Sequence, residues 1–296
     1  YSAECAIPCV ARVDAGTIEL VRSMGVELVS SADLVQRFEA VLTAEQLQSH
    51  HRAAAKLRAV VDETFEEIAR RVKHRVPASE PWIQDYVMWR INEHGLVTAE
   101  PPIVAVNAHS ANPHYSMSRE ANTPIRRGDF VLLDLWAKEP GTDAIYADFT
   151  WTGFVEERVP EDHAQIFEIV ASARDAAAGL VERRVAQRAP VSGRDADRAA
   201  REVIERAGYG GQFVHRTGHS IGRDVHGVGA NLDSLETADD RALIDNTCFS
   251  VEPGIYLEGR FGIRSEIDMT IEGGRAQVSG EPRQTEVVPI LARYRV

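Results

Sequence analysis

Residues 70–77 of this chain are echoed 113 positions later, and the echo sets the architecture. Arg70-Arg71-Val72-Lys73-His74-Arg75-Val76-Pro77 aligns with Arg183-Arg184-Val185-Ala186-Gln187-Arg188-Ala189-Pro190, and the same offset of 113 superposes Ser79 on Ser192, Ile91 on Ile204 and Gly95 on Gly208. Two copies so far apart are too few and too long for a solenoid of short stacked repeats. They read as a duplicated unit with an approximate two-fold relation between halves. In the first copy Leu57, Val61, Phe65, Ile68 and Val72 recur at helical spacing, giving one apolar face to a long helix that begins near residue 44. That helix stops before Pro77, whose ring and missing N–H end it. A second helix from about Ser79 turns Ile83, Val87 and Ile91 inward and closes at Gly95 as a left-handed cap. Strand-like sequence follows each pair, so the class is α+β, with helices covering one face of a mostly antiparallel sheet.

The strands carry an oddity. Residues 129–137 have the β-branched and aromatic content of a strand, 139–143 that of a turn and 144–152 that of the return strand. Asp134 therefore sits mid-strand among apolar residues, with Asp148 on the partner strand. A second hairpin repeats the pattern with Glu252 and Glu266, and side-chain alternation puts Arg264 on the same face as Glu266. A carboxylate in apolar company costs several kcal/mol when desolvated and unpaired, so such groups face water, meet cations or hold metal. One alone reads as part of a solvated sheet face. Four weigh differently beside the segment 215–227, where His219 and His226 stand seven residues apart among glycines that permit close backbone approach. One neutral imidazole with those four carboxylates carries a charge of −4, which two divalent ions would cancel. Oxygen ligands with one imidazole suit Mn²⁺, Co²⁺, Fe²⁺ or Zn²⁺.

Composition narrows the partners. A net charge of −12, from 33 basic and 45 acidic residues, opposes the phosphate contacts that dominate nucleic-acid affinity, so no nucleic-acid partner is expected. No apolar run approaches the ~18 residues of a membrane span, so no membrane partner is expected. Cys5, Cys9 and Cys248 make neither an even disulfide framework nor a zinc site, which reads as free thiols in a reducing, cytoplasmic setting. Residues 14–43 read as helix, strand at 26–30 and helix, and 1–43 as the closing part or remnant of a small N-terminal domain ahead of the main domain at 44–296. His50, His51 and His163, with polar helix neighbours, read as solvent-facing, and the Arg-rich stretches at 70–75 and 183–188 as solvated helix faces.

With their neighbours, the strand carboxylates and histidines resemble the pita-bread metallopeptidases, which include methionine aminopeptidase, aminopeptidase P and prolidase. The resemblance spans about 44–296. The family's aspartates match Asp134 in LLDLWA and Asp148 in YADFTWT, its histidine matches His219 in HRTGHSIG, and its glutamates match Glu252 in SVEPGIY and Glu266 in GIRSEID. Two histidines that are not ligands match His114 in ANPHY and His226 in DVHG. SVEPGIY and HRTGHSIG look more like the aminopeptidase P and prolidase branch than methionine aminopeptidase. The resemblance implies a pita-bread fold of duplicated αβ halves, with helices outside a curved antiparallel sheet and the site on its concave face. It also implies a homodimer that hydrolyses peptides, with Pro on the leaving side of the scissile bond, by a hydroxide bridging two divalent metal ions. In that scheme Asp148 and Glu266 bridge the metals, Asp134 chelates one, and His219 with Glu252 completes the other. Glu252 relays the proton, His226 and His114 bond the carbonyl or tetrahedral oxygen, and Arg264 orients Glu266 or the peptide.

The chain departs from the family pattern in places. Trp151 stands where relatives commonly carry Arg, Gly227 follows His226 where Glu is usual, and the turn after Asp134 is long. Residues 227–232 contain no Arg, which prolidases that clamp a dipeptide's carboxylate tend to have there. Two alternatives on the same fold are a creatinase-like C–N hydrolase that works without metal and a non-catalytic binding module. Both kinds of relative lack the full ligand set retained here.

Overall fold

The computed structural model describes residues 1–295. Two short helices, α1 (Ala15–Ser23) and α2 (Ala32–Val35), come first. Residues 26–30 form no strand, contrary to expectation. Val26 and Val29 are exposed and pair with no strand edge among the described residues, and β-branched content without a partner does not make a strand.

The duplication predicted from the repeated phrase is met at the helix boundaries around it. Helix α3 (Ala44–Lys73) opens with a capping box between Thr43 and Gln46 and buries Leu57, Val61, Phe65 and Ile68. Helix α4 (Glu80–Glu93) buries Ile83, Val87 and Ile91, and the chain leaves it through Gly95 at φ +68°. Helices α5 (Glu161–Ala186) and α6 (Gly193–Arg206) repeat the pair: α5 ends 113 residues after α3, and α6 starts and ends 113 residues after α4. Even the turn residues Arg75 and Arg188 share a left-handed backbone, at φ 56° and 53°.

Each helix pair covers a sheet. The strands are β1 (Ile103–Val106), β2 (Phe130–Ala137), β3 (Ala147–Phe154), β4 (Ser220–Ile221), β5 (Thr247–Val251), β6 (Gly254–Leu257), β7 (Phe261–Arg264), β8 (Ile267–Glu272), β9 (Arg275–Ser279) and β10 (Val288–Pro289), before a last turn, α7 (Ile290–Arg293). They order as β1-β2-β3-β10 and β4-β5-β8-β9, antiparallel except β3 with β10, while β6 and β7 form a ribbon of their own. Strands β3 and β8 meet where Asp148 N–H donates to Asp268 Oδ2 at 2.9 Å. Leu57, Val61 and Phe65 pack on Leu133, Leu135, Phe149 and Trp151 in one core. Phe167, Val170 and Ile204 pack on Phe249, Val251 and Met269 in the other. Because neighbours alternate across a strand, the helices' claim on Leu133 and Leu135 sends Asp134 to the opposite face, and their claim on Phe149 and Trp151 does the same for Asp148 and Thr150.

Several polar residues lie elsewhere than expected. His50 is wholly buried, its Nδ1 2.7 Å from Tyr146 O and its Nε2 2.9 Å from Ser279 Oγ. His51 is partly buried against Glu272 at 2.6 Å, and the His163 ring stacks on Phe261 with centroids 3.9 Å apart. Helix amphipathicity predicts apolar faces but not the polar groups that a second element satisfies. Arg70 and Arg71 share Glu67, and the Arg71 guanidinium lies on Trp82, so that face is a paired surface. Trp151 points to the helices, where Arg58 lies 3.7 Å over its ring, so this departure from the family pattern never reaches the concave face.

Candidate active site

The second hairpin is one ribbon broken at two glutamates. Strand β5 ends at Val251 and β6 begins at Gly254, while β7 ends at Arg264 and β8 begins at Ile267. The register pairs Val251 with Ile267 and Gly254 with Arg264, which sets Glu252 opposite Glu266 at the kink. Pro253, lacking an N–H, interrupts the ladder there. Glu252 lies 118 residues after Asp134 and Glu266 118 after Asp148, so the duplication relates the four carboxylates as well as the helices. His219 enters from β4's leading edge. A Cβ on Gly218 would sit 2.0 Å from Ser250 O, so glycine is what lets this backbone close on β5. His219 N–H then donates to Ser250 Oγ at 3.0 Å, and Ser250 N–H to His219 O at 2.9 Å.

All five expected ligands line one cavity, and three of them gather closely. His219 Nε2 is 3.6 Å from Asp148 Oδ2 and 3.4 Å from Glu252 Oε1. Ligand atoms of Asp148, His219 and Glu266 lie within 4.8 Å of one another. His219 Nδ1 is 3.1 Å from Ser220 O, and a carbonyl only accepts, so the proton is on Nδ1. That leaves the Nε2 lone pair turned toward the carboxylates. Arg264 differs in detail from expectation: its guanidinium pairs directly with Asp134, not Glu266. Its Nε donates to Thr150 Oγ1 at 2.9 Å, and Thr150 in turn donates to Glu266 Oε2 at 2.7 Å, so it orients Glu266 through a hydroxyl.

This cluster is electrostatically incomplete. Burial, with neighbouring carboxylates adding to it, pushes the Asp148 and Glu266 carboxyls well above the usual range. Burial raises Asp134 too, against the pull of Arg264, and lowers His219. Asp148 Oδ1 is buried with no hydrogen-bond partner among the described residues. A carboxylate with one orphaned oxygen, its other oxygen turned to an imidazole lone pair, is a donor set suited to a divalent cation.

The cluster floors a cavity of about 1110 Å³. His226 and His114 line it as expected, the His226 ring edge-on to His219 with centroids 4.4 Å apart. Sequence reasoning missed four contributors. His215 lines the cavity, burial lowers it to about 4, and its Nε2 is 2.7 Å from Tyr256 OH. Tyr256 also meets Arg264 Nη1 at 3.3 Å. Arg216 lines the rim beside Glu236. Asp268 holds the Asp148 main chain, and its signal was the two-residue step from Glu266, which continues the face already begun at Arg264.

Comparison with known proteins agrees with this geometry. Residues 48–272 match metallopeptidase family M24. The probable dipeptidase PepE of Mycobacterium tuberculosis is 30% identical over 276 residues, 92% of this chain and 67% of that protein. An Xaa-Pro dipeptidase of Lactobacillus helveticus is 26% identical over 260 residues, 88% of this chain and 65% of that one. The crystal structure of dipeptidase PepE from Mycobacterium ulcerans superposes with a TM-score of 0.72 at 27% identity, covering 94% of this chain and 70% of that one. The chain has the pita-bread fold, and it belongs to metallopeptidase family M24.

Proposed function

We propose that this metallopeptidase cleaves Xaa-Pro peptide bonds using two divalent metal ions held by Asp134, Asp148, His219, Glu252 and Glu266. The observation that carries the reading is the unpartnered Oδ1 of Asp148, a carboxylate whose Oδ2 lies 3.6 Å from His219 Nε2, in one cavity with three further carboxylates. The relatives named Xaa-Pro dipeptidase support the proline preference. In this reading Asp148 and Glu266 would serve both ions, Asp134 would serve one, and His219 with Glu252 the other. Bound metal supplies a water of lowered pKa and Lewis-acid stabilisation of the carbonyl. The chain's own groups do the rest. Glu252 takes the water's proton and returns it to the leaving nitrogen. His226 and His114, on the cavity wall, donate hydrogen bonds to the oxygen as charge develops on it. Arg264 holds Asp134 directly and Glu266 through Thr150, which preserves the ligand geometry. A homodimer belongs to the same reading.

The test is a panel of peptides of graded length with Xaa-Pro at the amino end, assayed with Mn²⁺, Co²⁺, Zn²⁺ or Fe²⁺ and with a chelator. Chelator-sensitive cleavage before proline is expected. Undiminished activity after exhaustive chelation, or cleavage indifferent to proline, defeats the reading.

A further inference from the structure

Glu80 is the first residue of α4, is 1% exposed, and plays no part in the scheme above. A carboxylate so deeply buried is stable only when charge-assisted hydrogen bonds replace its water. Three donors do so. Glu80 Oε1 accepts Val106 N–H at 2.8 Å and lies 2.8 Å from His109 Nδ1, and Oε2 accepts Tyr115 O–H at 2.8 Å. Val106 ends β1, and Tyr115 directly follows His114, so the donors bracket the whole segment that carries His114 onto the cavity wall. The His109 ring also stacks on Tyr115, with centroids 4.6 Å apart and planes 22° apart.

His114 itself is exposed, and among the described residues its ring makes no hydrogen bond. Its aim is therefore set by the backbone beneath it. We infer that Glu80 is a positioning residue that holds His114 over the substrate by clamping Val106, His109 and Tyr115.

The second half of the molecule solves the same problem with a different residue, which argues that the clamp is a requirement of the site. The duplicate of Glu80 is Gly193, where a Cβ would meet Asn231 O at 1.7 Å, so no side chain fits. One turn on, Asp197 is 0% exposed and accepts Thr217 N–H at 2.9 Å, Thr217 O–H at 2.6 Å and Ser234 N–H at 3.1 Å. Thr217 stands between His215 and His219. In each half, then, a buried carboxylate on the second helix fastens the loop that brings imidazoles to the cavity.

The inference rests on the proposed contact of His114 with substrate, and the experiment separates the two. Tyr115→Phe deletes one hydroxyl from the clamp, and Glu80→Gln keeps its size while removing its charge. Each is assayed on an Xaa-Pro dipeptide with Mn²⁺, alone and combined with His114→Ala. Each should lower kcat at least about tenfold with little change in KM or metal content, and cost nothing further in the His114→Ala background. Equal losses with and without His114 overturn the inference, as does a His114→Ala enzyme at the wild-type rate. Amide hydrogen exchange reads the clamp without activity. Tyr115→Phe should speed exchange across 107–115 and leave 129–154 unchanged, and unchanged exchange at 107–115 overturns the inference even if no Xaa-Pro peptide is cleaved.

Discussion

A single hydrogen bond settles what His219 can do. Because Ser220 O fixes the proton on Nδ1, the ring presents only a lone pair to Asp148 and Glu252, and those carboxylates repel one another until a cation joins them. Asp148→Asn keeps the shape and removes one charge. The metal-free variant should melt higher than the metal-free wild type, because a repulsive buried charge is gone, yet it should retain no tightly bound ion. Thermal melts with and without chelator, beside elemental analysis, check both halves; a full metal complement in the variant would strip Asp148 of its ligand role. His226→Ala should behave oppositely, keeping its metal while kcat falls by about 10²-fold or more, the usual loss for one oxyanion donor. Metal loss there would make His226 a ligand. The strand carboxylates were legible in the sequence as candidates because a charged residue in mid-strand demands an explanation. His215 and Tyr256 were not, since a histidine in a glycine-rich loop and a tyrosine in a strand each have an ordinary reading until folding brings them to Arg264.

At the scale of elements, the long helices were legible from their apolar period and the helix ends from Pro77, Gly95 and their duplicates. The break in the second hairpin was not, because alternation continues through Glu252 and Glu266 in the same register while the strand pairing shifts from β5–β8 to β6–β7. Nor could pattern reveal that residues 26–30 lack a partner, since pairing is a property of the fold. The join between β4 and β5 makes a sharp prediction. In Gly218→Ala the added methyl would meet the Ser250 carbonyl, and that backbone cannot retreat without dragging His219, to which it is hydrogen-bonded both ways. Overpacking of this kind costs about 1–3 kcal/mol. The variant should unfold earlier in urea and bind Mn²⁺ more weakly than the wild type. A variant equally stable with unchanged Mn²⁺ affinity would mean that the close approach does not place His219.

Across the whole molecule, His50 ties the halves together. It rises from α3, meets the carbonyl of Tyr146 before β3 and the hydroxyl of Ser279 at the end of β9, and rests 3.6 Å from Cys248 Sγ on β5. Burial lowers its pKa from 6.5 to about 4. The unfolded chain therefore takes up a proton that the native protein refuses. The stability tied to this refusal is intact above pH 6.5 and drains away as the pH falls toward 4, amounting to about 2–3 kcal/mol by pH 4.5. The raised carboxyls of Asp148 and Glu266 act in the reverse sense in metal-free protein, gaining stability on acidification, so the bare pH profile of the wild type mixes both. Comparing it with His50→Leu isolates the imidazole. The variant loses two buried hydrogen bonds and should be clearly weaker at pH 7.5, but it has no proton to refuse. The gap in urea stability between the two proteins should shrink by those 2–3 kcal/mol between pH 7.5 and 4.5. A gap constant with pH would place the acid sensitivity elsewhere and leave His50 a neutral packing residue.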